Sequence, residues 1–248
     1  MPKTFRGRKQ KRDRREQERM DDYLDKYESE SNKKQLLKVR PQTVGQKDLW
    51  DALKDPYIKY VAVSGPAGSG KTFLTCYHAM QSLERCMMSK IQICRSVTEV
   101  KDEEIGFLPG GIDEKMAAYL VPLTENLQKF TQPESYREYQ EGGMIEIVPL
   151  AMARGRSLEE SFVIADEAQN ISLAVFKMLL TRVADSSKLV FLGDFNQNDK
   201  HVGTTDFERV CDALEGGLDG AFKHVELTYD DVIRSKHIRE ICERLDCI

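Results

Sequence analysis

The sequence has no long run of apolar residues. A membrane-spanning helix needs about 20 consecutive apolar residues, and the apolar runs of this chain are much shorter. Residues 1–20 are basic and contain no apolar stretch of the kind that a secretory signal requires. We therefore expect a chain without a membrane span or a secretory signal, located in the cytoplasm.

Cysteine pairs with metal-binding spacing are also absent. None of the six cysteines forms a C-x-x-C pair, and the four histidines show no ligand spacing. A zinc site or a disulfide framework is therefore not expected, and reduced thiols fit a cytoplasmic protein. With 248 residues, the chain is long enough for one substantial domain with a sizeable core.

The net charge is small, but the charges are unevenly distributed. The whole chain has a net charge of −4, whereas residues 1–20 hold nine lysines and arginines against three acids. A basic arm on an acidic body is typical of contact with nucleic acid; a solvated tail without a partner is the alternative. We expect residues 1–40 to form a charged, flexible arm, because they lack a strand pattern.

Short apolar runs and helical patterns alternate after the arm. A short helix with Trp50 and Leu53 on one face should end near Pro56. The apolar runs that we predict as strands are Tyr60–Ser64, Lys90–Cys94, Met144–Val148, Ser161–Ala165, Leu189–Leu192 and His224–Leu227. The predicted helices that follow are Lys71–Met88, Asp113–Phe130, Leu173–Ala184, Asp206–Glu215 and Lys236–Leu245. This alternation predicts one α/β domain over residues 41–248, with a parallel sheet covered by helices on both faces.

The stretch GPAGSGKT, residues 65–72, directly follows the first predicted strand. It matches the phosphate-binding pattern G-x-x-x-x-G-K-[ST] at every fixed position. In such a loop the backbone N–H groups surround the β-phosphate, the lysine reaches the β- and γ-phosphates, and the last hydroxyl binds Mg²⁺. We therefore predict that ATP is bound by Gly65, Pro66, Ala67, Gly68, Ser69, Gly70, Lys71, Thr72 and Phe73, with Thr72 also a ligand of Mg²⁺.

Two acids, Asp166 and Glu167, follow the predicted strand Ser161–Ala165. Because the strands are parallel, these acids should emerge at the same edge of the sheet as the phosphate loop. We expect Asp166 to hold Mg²⁺ and Glu167 to act as the general base that polarises the attacking water. Acids that merely favour a helix N-terminus are the simpler explanation.

The next strand, Leu189–Leu192, runs into Gly193-Asp194-Phe195-Asn196-Gln197. A polar side chain in this loop can reach the γ-phosphate at the same sheet edge. Gln197 is therefore the predicted sensor of hydrolysis, and Asp194 is expected to support its loop.

The three motifs, in this order and spacing, resemble those of superfamily 1 helicases and, more closely, those of the PhoH-like ATPases. Further stretches resemble that family: Gly106–Gly110, the Arg-Gly-Arg stretch Arg154–Arg156, Phe176–Arg182 and Asp231–Arg234. The resemblance covers about residues 40–240. Two places depart from the family pattern: Ala153 replaces a frequent methionine or tyrosine, and Ser235-Lys236 replaces a usual His-Pro. The chain is similar in length to compact members found in phages, for which the host cytoplasm is the expected location.

The resemblance implies a P-loop NTPase fold with a single RecA-like core, and it implies further site residues. Gln46 stands where related helicases place a glutamine that reads adenine through two hydrogen bonds; a surface glutamine is the alternative. Arg156 is implied to contact the bound nucleotide, and Arg182 and Arg234 to act on the γ-phosphate; a structural ion pair is the alternative for each. The family is associated with hexameric rings, so a hexamer with an arginine supplied in trans is expected.

Three functions remain open on the sequence. The first is an ATPase that couples hydrolysis to the binding or remodelling of single-stranded RNA or DNA, with helicase-like motifs. The second is a nucleotide-dependent switch or scaffold for protein partners, without strand separation. The third is an ATP-associated ribonuclease.

Overall fold

A computed structural model of the chain describes residues 39–95, 121–150, 153, 155, 156, 158–197, 204–234 and 236–245. All of them belong to one compact unit, Lys38–Ile248. The predicted basic arm lies outside the described residues up to residue 38, as do Gly106–Gly110 and Arg154. Within the described ranges, no helix is long and apolar enough to cross a membrane.

Six parallel strands form one sheet, in the spatial order β3-β2-β4-β5-β1-β6. The strands are β1 Tyr60–Ser64, β2 Lys90–Arg95, β3 Ile145–Pro149, β4 Ser161–Asp166, β5 Lys188–Leu192 and β6 Phe222–Glu226. The six predicted strands are thus confirmed, with their ends shifted by no more than two residues. In β4 and β5 consecutive residues are buried, and since neighbouring side chains point to opposite faces, the middle of the sheet is covered on both.

The helices alternate with the strands as predicted; the predicted starts at Lys71, Leu173 and Asp206 and both predicted ends of Lys236–Leu245 are confirmed. The helices are α1 Val44–Lys54, α2 Lys71–Glu84, α3 Pro133–Glu141, α4 Leu173–Leu180, α5 Asp206–Leu214 and α6 Lys236–Leu245. Residues 121–128 are also helical. They belong to the predicted helix Asp113–Phe130, which lies outside the described residues up to residue 120. The predicted ends of α2 and α4 were four residues too late, at Met88 and Ala184.

Helix α3 was missed by the sequence analysis. Its sequence, PESYREYQE, is too polar to show a clear apolar periodicity. The available signals were Pro133 at its first turn, and the tyrosines Tyr136 and Tyr139, which are both buried. Two apolar positions in nine residues do not distinguish a helix from a polar loop.

Helix α1 is held at both ends by side chains. The Thr43 hydroxyl accepts a hydrogen bond from the backbone N–H of Gln46 and so caps the N-terminus. The buried ammonium of Lys188 donates to the carbonyl oxygens of Ala52, Leu53 and Asp55, at 3.1, 2.7 and 2.8 Å. A cation at the C-terminus also complements the helix dipole. Because Lys188 begins β5, this contact fixes α1 against the sheet.

The imidazole of His78, on α2, packs edge-on against the Trp50 indole of α1, with ring centroids 4.4 Å apart. His78 is 5% exposed, and among the described residues its Nε2 has no hydrogen-bond partner. Burial lowers the pKa of His78 to about 4, and the cations Lys188, Lys54 and Arg85 contribute to the shift. The folded protein therefore holds this imidazole neutral.

The low pKa of His78 predicts a loss of stability in mild acid. Between pH 6.5 and about 4, the unfolded chain binds a proton that the folded chain does not. Through this group, the free energy of unfolding should fall by about 2 kcal/mol between pH 7 and pH 5. We expect urea unfolding of His78→Leu to lack this part of the pH dependence. The exposed His237→Leu serves as the control, and equal pH dependence in wild type and His78→Leu would contradict the prediction.

Candidate active site

A cavity of about 810 Å³ lies at the carboxyl ends of the central strands. Its size is in the range of small-molecule binding sites. It is lined by residues of the loops after β1, β4 and β5. Binding sites are expected at this edge of a sheet, because the carboxyl ends of parallel strands meet there. The predicted site residues that line it are Gln46, Ala67, Gly68, Ser69, Gly70, Lys71, Thr72, Phe73, Asp166, Glu167, Gln197 and Arg234.

Gly65 allows the chain to leave β1 and enter the phosphate loop. Its φ is +139°, and a Cβ at this position would overlap the carbonyl oxygen of Leu227. No side chain fits there, so the approach of the loop to the end of β6 requires glycine. Pro66 follows and is buried. The predicted turn is therefore built as a phosphate loop requires, with α2 beginning at Lys71.

The ammonium group of Lys71 lies inside the loop. It donates a hydrogen bond to the Pro66 carbonyl oxygen at 2.9 Å and another to the Gly65 carbonyl oxygen. Burial lowers the pKa of Lys71, and the carboxylates of Asp194, Asp166 and Glu167 oppose this shift. The cation and the acids of the predicted site are thus close enough to interact.

Asp166 is the last residue of β4, and Glu167 follows it with a left-handed backbone, at φ 55° and ψ 46°. This conformation costs a non-glycine residue roughly 1–2 kcal/mol. Such outliers concentrate at functional sites, where the surrounding structure holds them. Here the turn brings the side chains of two consecutive acids to the wall of the same pocket.

Gln46 also lies at the pocket, but its amide is engaged by the protein. Its Nε2 donates to the Ser69 carbonyl oxygen at 2.9 Å and to the Asp231 carbonyl oxygen at 3.2 Å. Its Oε1 accepts from the backbone N–H of Gln42 at 3.0 Å. Both donor hydrogens are therefore used, and the side chain is 2% exposed. In this structure Gln46 braces the phosphate loop, and the reading of adenine stays a prediction.

Asp231 connects the start of α1 to the segment that carries Arg234. Its carboxylate accepts from the Thr43 hydroxyl at 2.5 Å and from the backbone N–H of Thr228 at 2.8 Å. A Cβ on Gly45 would lie 2.5 Å from the same carboxylate, so this contact requires glycine. The side chain of Arg234 then passes over Gly68, with Nε 3.3 Å from the position of a Cβ there. Arg234 is thereby placed in the pocket of its own chain.

Arg156 and Arg182 are not among the described residues that line the pocket. The Arg156 guanidinium lies 3.4 Å from the Glu146 carboxylate, which also accepts from Lys90 and Gln92. Arg182 donates to the carbonyl oxygen of Arg156 at 3.4 Å. The placement of Arg156 therefore does not support contact with a nucleotide in its own chain, and the two arginines form a separate cluster.

Other pocket residues were not predicted from the sequence. They are Val39, Arg40, Gln42, Leu74, Pro122, Asn126, Lys129, Gln169, Leu192, Gly193 and Ile233; Asp194, which was expected to support the loop of Gln197, also lines the pocket. Asn126 and Lys129 reach the pocket because Phe73 and Phe130 pack with ring centroids 5.0 Å apart, and no local pattern signals that contact. Gln169 and Asp231 lie inside motifs that are recognisable in the sequence, so the motifs marked these two positions. The motifs did not show which contacts the two side chains make.

A phosphate loop after β1, two acids after β4 and a parallel sheet that joins these strands define a P-loop nucleotide-binding domain. The sequence profile of a family described as PhoH-like protein matches residues 38–246. The chain therefore belongs to the PhoH-like family, as its motifs had indicated.

Relatives with the same description support this membership. A PhoH-like protein of Bacillus subtilis (strain 168) is 37% identical over 221 residues, which are 89% of this chain and 68% of that protein. One of Mycobacterium tuberculosis (strain ATCC 25618 / H37Rv) is 37% identical over 206 residues, 83% of this chain and 57% of that protein. The chain thus corresponds to only part of the length of these relatives.

Solved structures share the fold at low sequence identity. The large terminase of a thermophilic bacteriophage is 14% identical with a TM-score of 0.55, over 83% of this chain and 50% of the terminase. Another crystal form of that terminase, in complex with ADP, is 13% identical with a TM-score of 0.53, over 82% of this chain and 50% of the terminase. At this identity the likeness establishes the fold alone.

The contacts of Gln46 predict that it supports nucleotide binding regardless of the base. Gln46→Met removes the donors to the buried carbonyl oxygens of Ser69 and Asp231. We expect about tenfold weaker binding of both ATP and GTP, because the phosphate loop loses the hydrogen bond that holds Ser69 in place and must be ordered when the nucleotide binds. Titration with fluorescent analogues of both nucleotides measures this. Gln140→Met, on the exposed face of α3, is the control, and a loss confined to ATP would contradict bracing and support base reading.

Proposed function

We propose that this chain is an ATPase that hydrolyses ATP in the cavity at the carboxyl ends of β1, β4 and β5. The observation that carries the proposal is that the phosphate loop and two consecutive acids line one pocket, where the carboxylates interact with the half-buried Lys71. A pocket that only bound phosphate would need the loop and the lysine. The acids add what hydrolysis requires, a metal ligand and a general base.

Each residue has a distinct role in the proposed reaction. The ammonium of Lys71 binds the β- and γ-phosphates in exchange for the loop carbonyls that it contacts in this structure. The carboxylate of Glu167 orients the attacking water and accepts its proton. Arg234 adds positive charge from the same chain, because its side chain crosses the loop at Gly68. Gln197, exposed at the rim, is the proposed sensor of the γ-phosphate.

The donor set at the pocket suits magnesium. Thr72 and Asp166 offer a hydroxyl and a carboxylate, the hard oxygen ligands that Mg²⁺ prefers. When bound, Mg²⁺ supplies positive charge that neutralises the phosphates. Among the described residues, no group of three or more histidine, cysteine, aspartate or glutamate side chains could hold a metal ion. Magnesium at a nucleotide site needs only one or two protein ligands.

We further propose that hydrolysis is coupled to single-stranded RNA or DNA. The support is the basic arm, with nine lysines and arginines against three acids in residues 1–20. An arm of this charge attracts a phosphate backbone without reading its sequence. Remodelling of the bound strand is the proposed use of the energy.

We also propose a hexameric ring in which the cluster of Arg156 and Arg182 reaches the nucleotide of the neighbouring chain. Arg156 is exposed and Arg182 half-buried, and neither lines the pocket of its own chain. An arginine supplied in trans stabilises the charge that develops on the transferred phosphoryl group. In this proposal Arg234 acts on the nucleotide of its own chain, and Arg156 and Arg182 act on that of the neighbouring chain.

Two substitutions test the proposed hydrolysis site. Lys71→Ala should abolish both nucleotide binding and hydrolysis, because it removes the cation inside the loop. Glu167→Gln should lower kcat by at least about 100-fold while ATP still binds, since the general base contributes on the order of 10²- to 10⁴-fold. Phosphate release and fluorescent-nucleotide titration measure the two effects separately. Glu141→Gln, an exposed acid at the end of α3, is the control, and full turnover by Glu167→Gln would rule out the assigned base.

The proposed partners are tested by one set of measurements. Single-stranded RNA or DNA should raise the ATPase rate severalfold at low salt, and the effect should weaken as salt rises. Replacing Arg12, Arg14 and Arg15 by glutamate should remove the stimulation and leave the basal rate unchanged. Light scattering should give a mass near that of six 28.4 kDa chains. Absence of stimulation and of binding by either strand would favour the nucleotide-dependent switch instead.

A further inference from the structure

The side chain of Gln169 is buried between the two functional loops of the pocket. It lies in the short 3₁₀ helix Ala168–Asn170 that follows Glu167, and it is 7% exposed. It also lines the cavity. A buried amide at this place must find both a donor and an acceptor among its neighbours.

The neighbours of Gln169 determine the orientation of its amide. Its Nε2 donates to the Glu167 carboxylate at 2.7 Å. Its Oε1 accepts from the backbone N–H of Asp194 at 3.2 Å. A carboxylate accepts and a backbone N–H donates, so the amide nitrogen must face Glu167 and the amide oxygen must face Asp194. Among common side chains, only an amide of this length satisfies both partners without a charge.

Gly193 makes room for this contact. A Cβ at residue 193 would lie 3.0 Å from the Gln169 amide oxygen and 2.8 Å from the Phe207 ring. The backbone of the loop after β5 can therefore approach Gln169 only because this position lacks a side chain. Asp194 then accepts from the backbone N–H of Asn196 at 3.1 Å, which shapes the turn towards Gln197.

We propose that Gln169 is a positioning residue that holds the Glu167 carboxylate and links it to the loop that carries Gln197. This inference rests on the proposed hydrolysis of ATP at this site. The left-handed backbone of Glu167 directs its side chain to the pocket, and the bond from Gln169 restricts its rotation there. A movement of the loop at Asp194 is transmitted through one amide to the general base. The base and the sensor of the γ-phosphate therefore change position together.

Two substitutions separate positioning from packing. Gln169→Met keeps the size of the side chain and removes both hydrogen bonds. Gln169→Glu keeps its shape, loses the donor and places a second carboxylate against Glu167. A packing role would leave Gln169→Met close to wild type, because the size of the side chain is kept, whereas positioning requires that both variants lose activity.

We expect both variants to lower kcat by about 10- to 100-fold, the effect of a misplaced catalytic group. The dissociation constant for ATP, measured by fluorescent-nucleotide titration, should stay within about threefold of wild type, because the phosphate loop is unchanged. In the Glu167→Gln background, Gln169→Met should have little further effect on kcat, since both act through the same step.

Tyr139→Phe is the matched control. Tyr139 is also buried, at 8% exposure, and its hydroxyl also donates to a glutamate, Glu84, at 2.6 Å. It lies on α3, away from the cluster of Arg156 and Arg182, and is not among the described residues that line the pocket. Tyr139→Phe should therefore keep the wild-type kcat, and thermal unfolding of all variants shows whether the fold is retained.

The outcomes distinguish this inference from the proposed function. A wild type without hydrolysis, or an active Glu167→Gln, overturns the proposed function and this inference with it. An active wild type and an inactive Glu167→Gln, together with wild-type kcat in Gln169→Met or in Gln169→Glu, overturn the inference alone. Additive losses in the double variant also overturn it. Loss of kcat with retained ATP binding and no additivity supports it.

Discussion

The close approach of the phosphate loop to the end of β6 is the constraint on which the site depends. β1 and β6 pair in parallel, with Ser64 opposite Glu226, and the backbone N–H of Leu227 donates to the Ser64 carbonyl oxygen at 2.8 Å. The chain must therefore turn away from Leu227 at the next residue, where only glycine fits. From this turn follow the position of the loop, the start of α2 at Lys71 and the direction of its N-terminal N–H groups.

Neutral amides connect the parts of the pocket. Gln46 joins α1 to the phosphate loop and to the segment after β6, and Gln169 joins the acidic turn to the loop after β5. An amide offers a donor and an acceptor at once, and its burial costs less than that of a charge. Such links hold loops together in a pocket whose own charges must remain available to a ligand.

The charged groups are divided between two places. Lys71, Asp166 and Glu167 share the cavity, and Arg234 crosses the loop beside them. Arg156 and Arg182 lie together near Glu146, which is bound by Lys90 and Gln92 as well. The residues of the family motifs therefore do not all line one pocket. Arg156 is exposed and Arg182 half-buried, so contact with a further molecule would cost them little desolvation.

The sequence by itself determined the class of fold, the phosphate loop and the acids after β4, because each depends on a local pattern. The apolar runs of the strands, the glycines before Lys71 and the acids at a strand end are all read within about ten residues. The tertiary structure alone decided the partners of Gln46, the two contacts of Gln169 and the separation of Arg234 from Arg156 and Arg182. The contact between Gln46 and Asp231 joins residues that are 185 positions apart. Its formation depends on how β6 packs beside β1, and no local pattern encodes that distance.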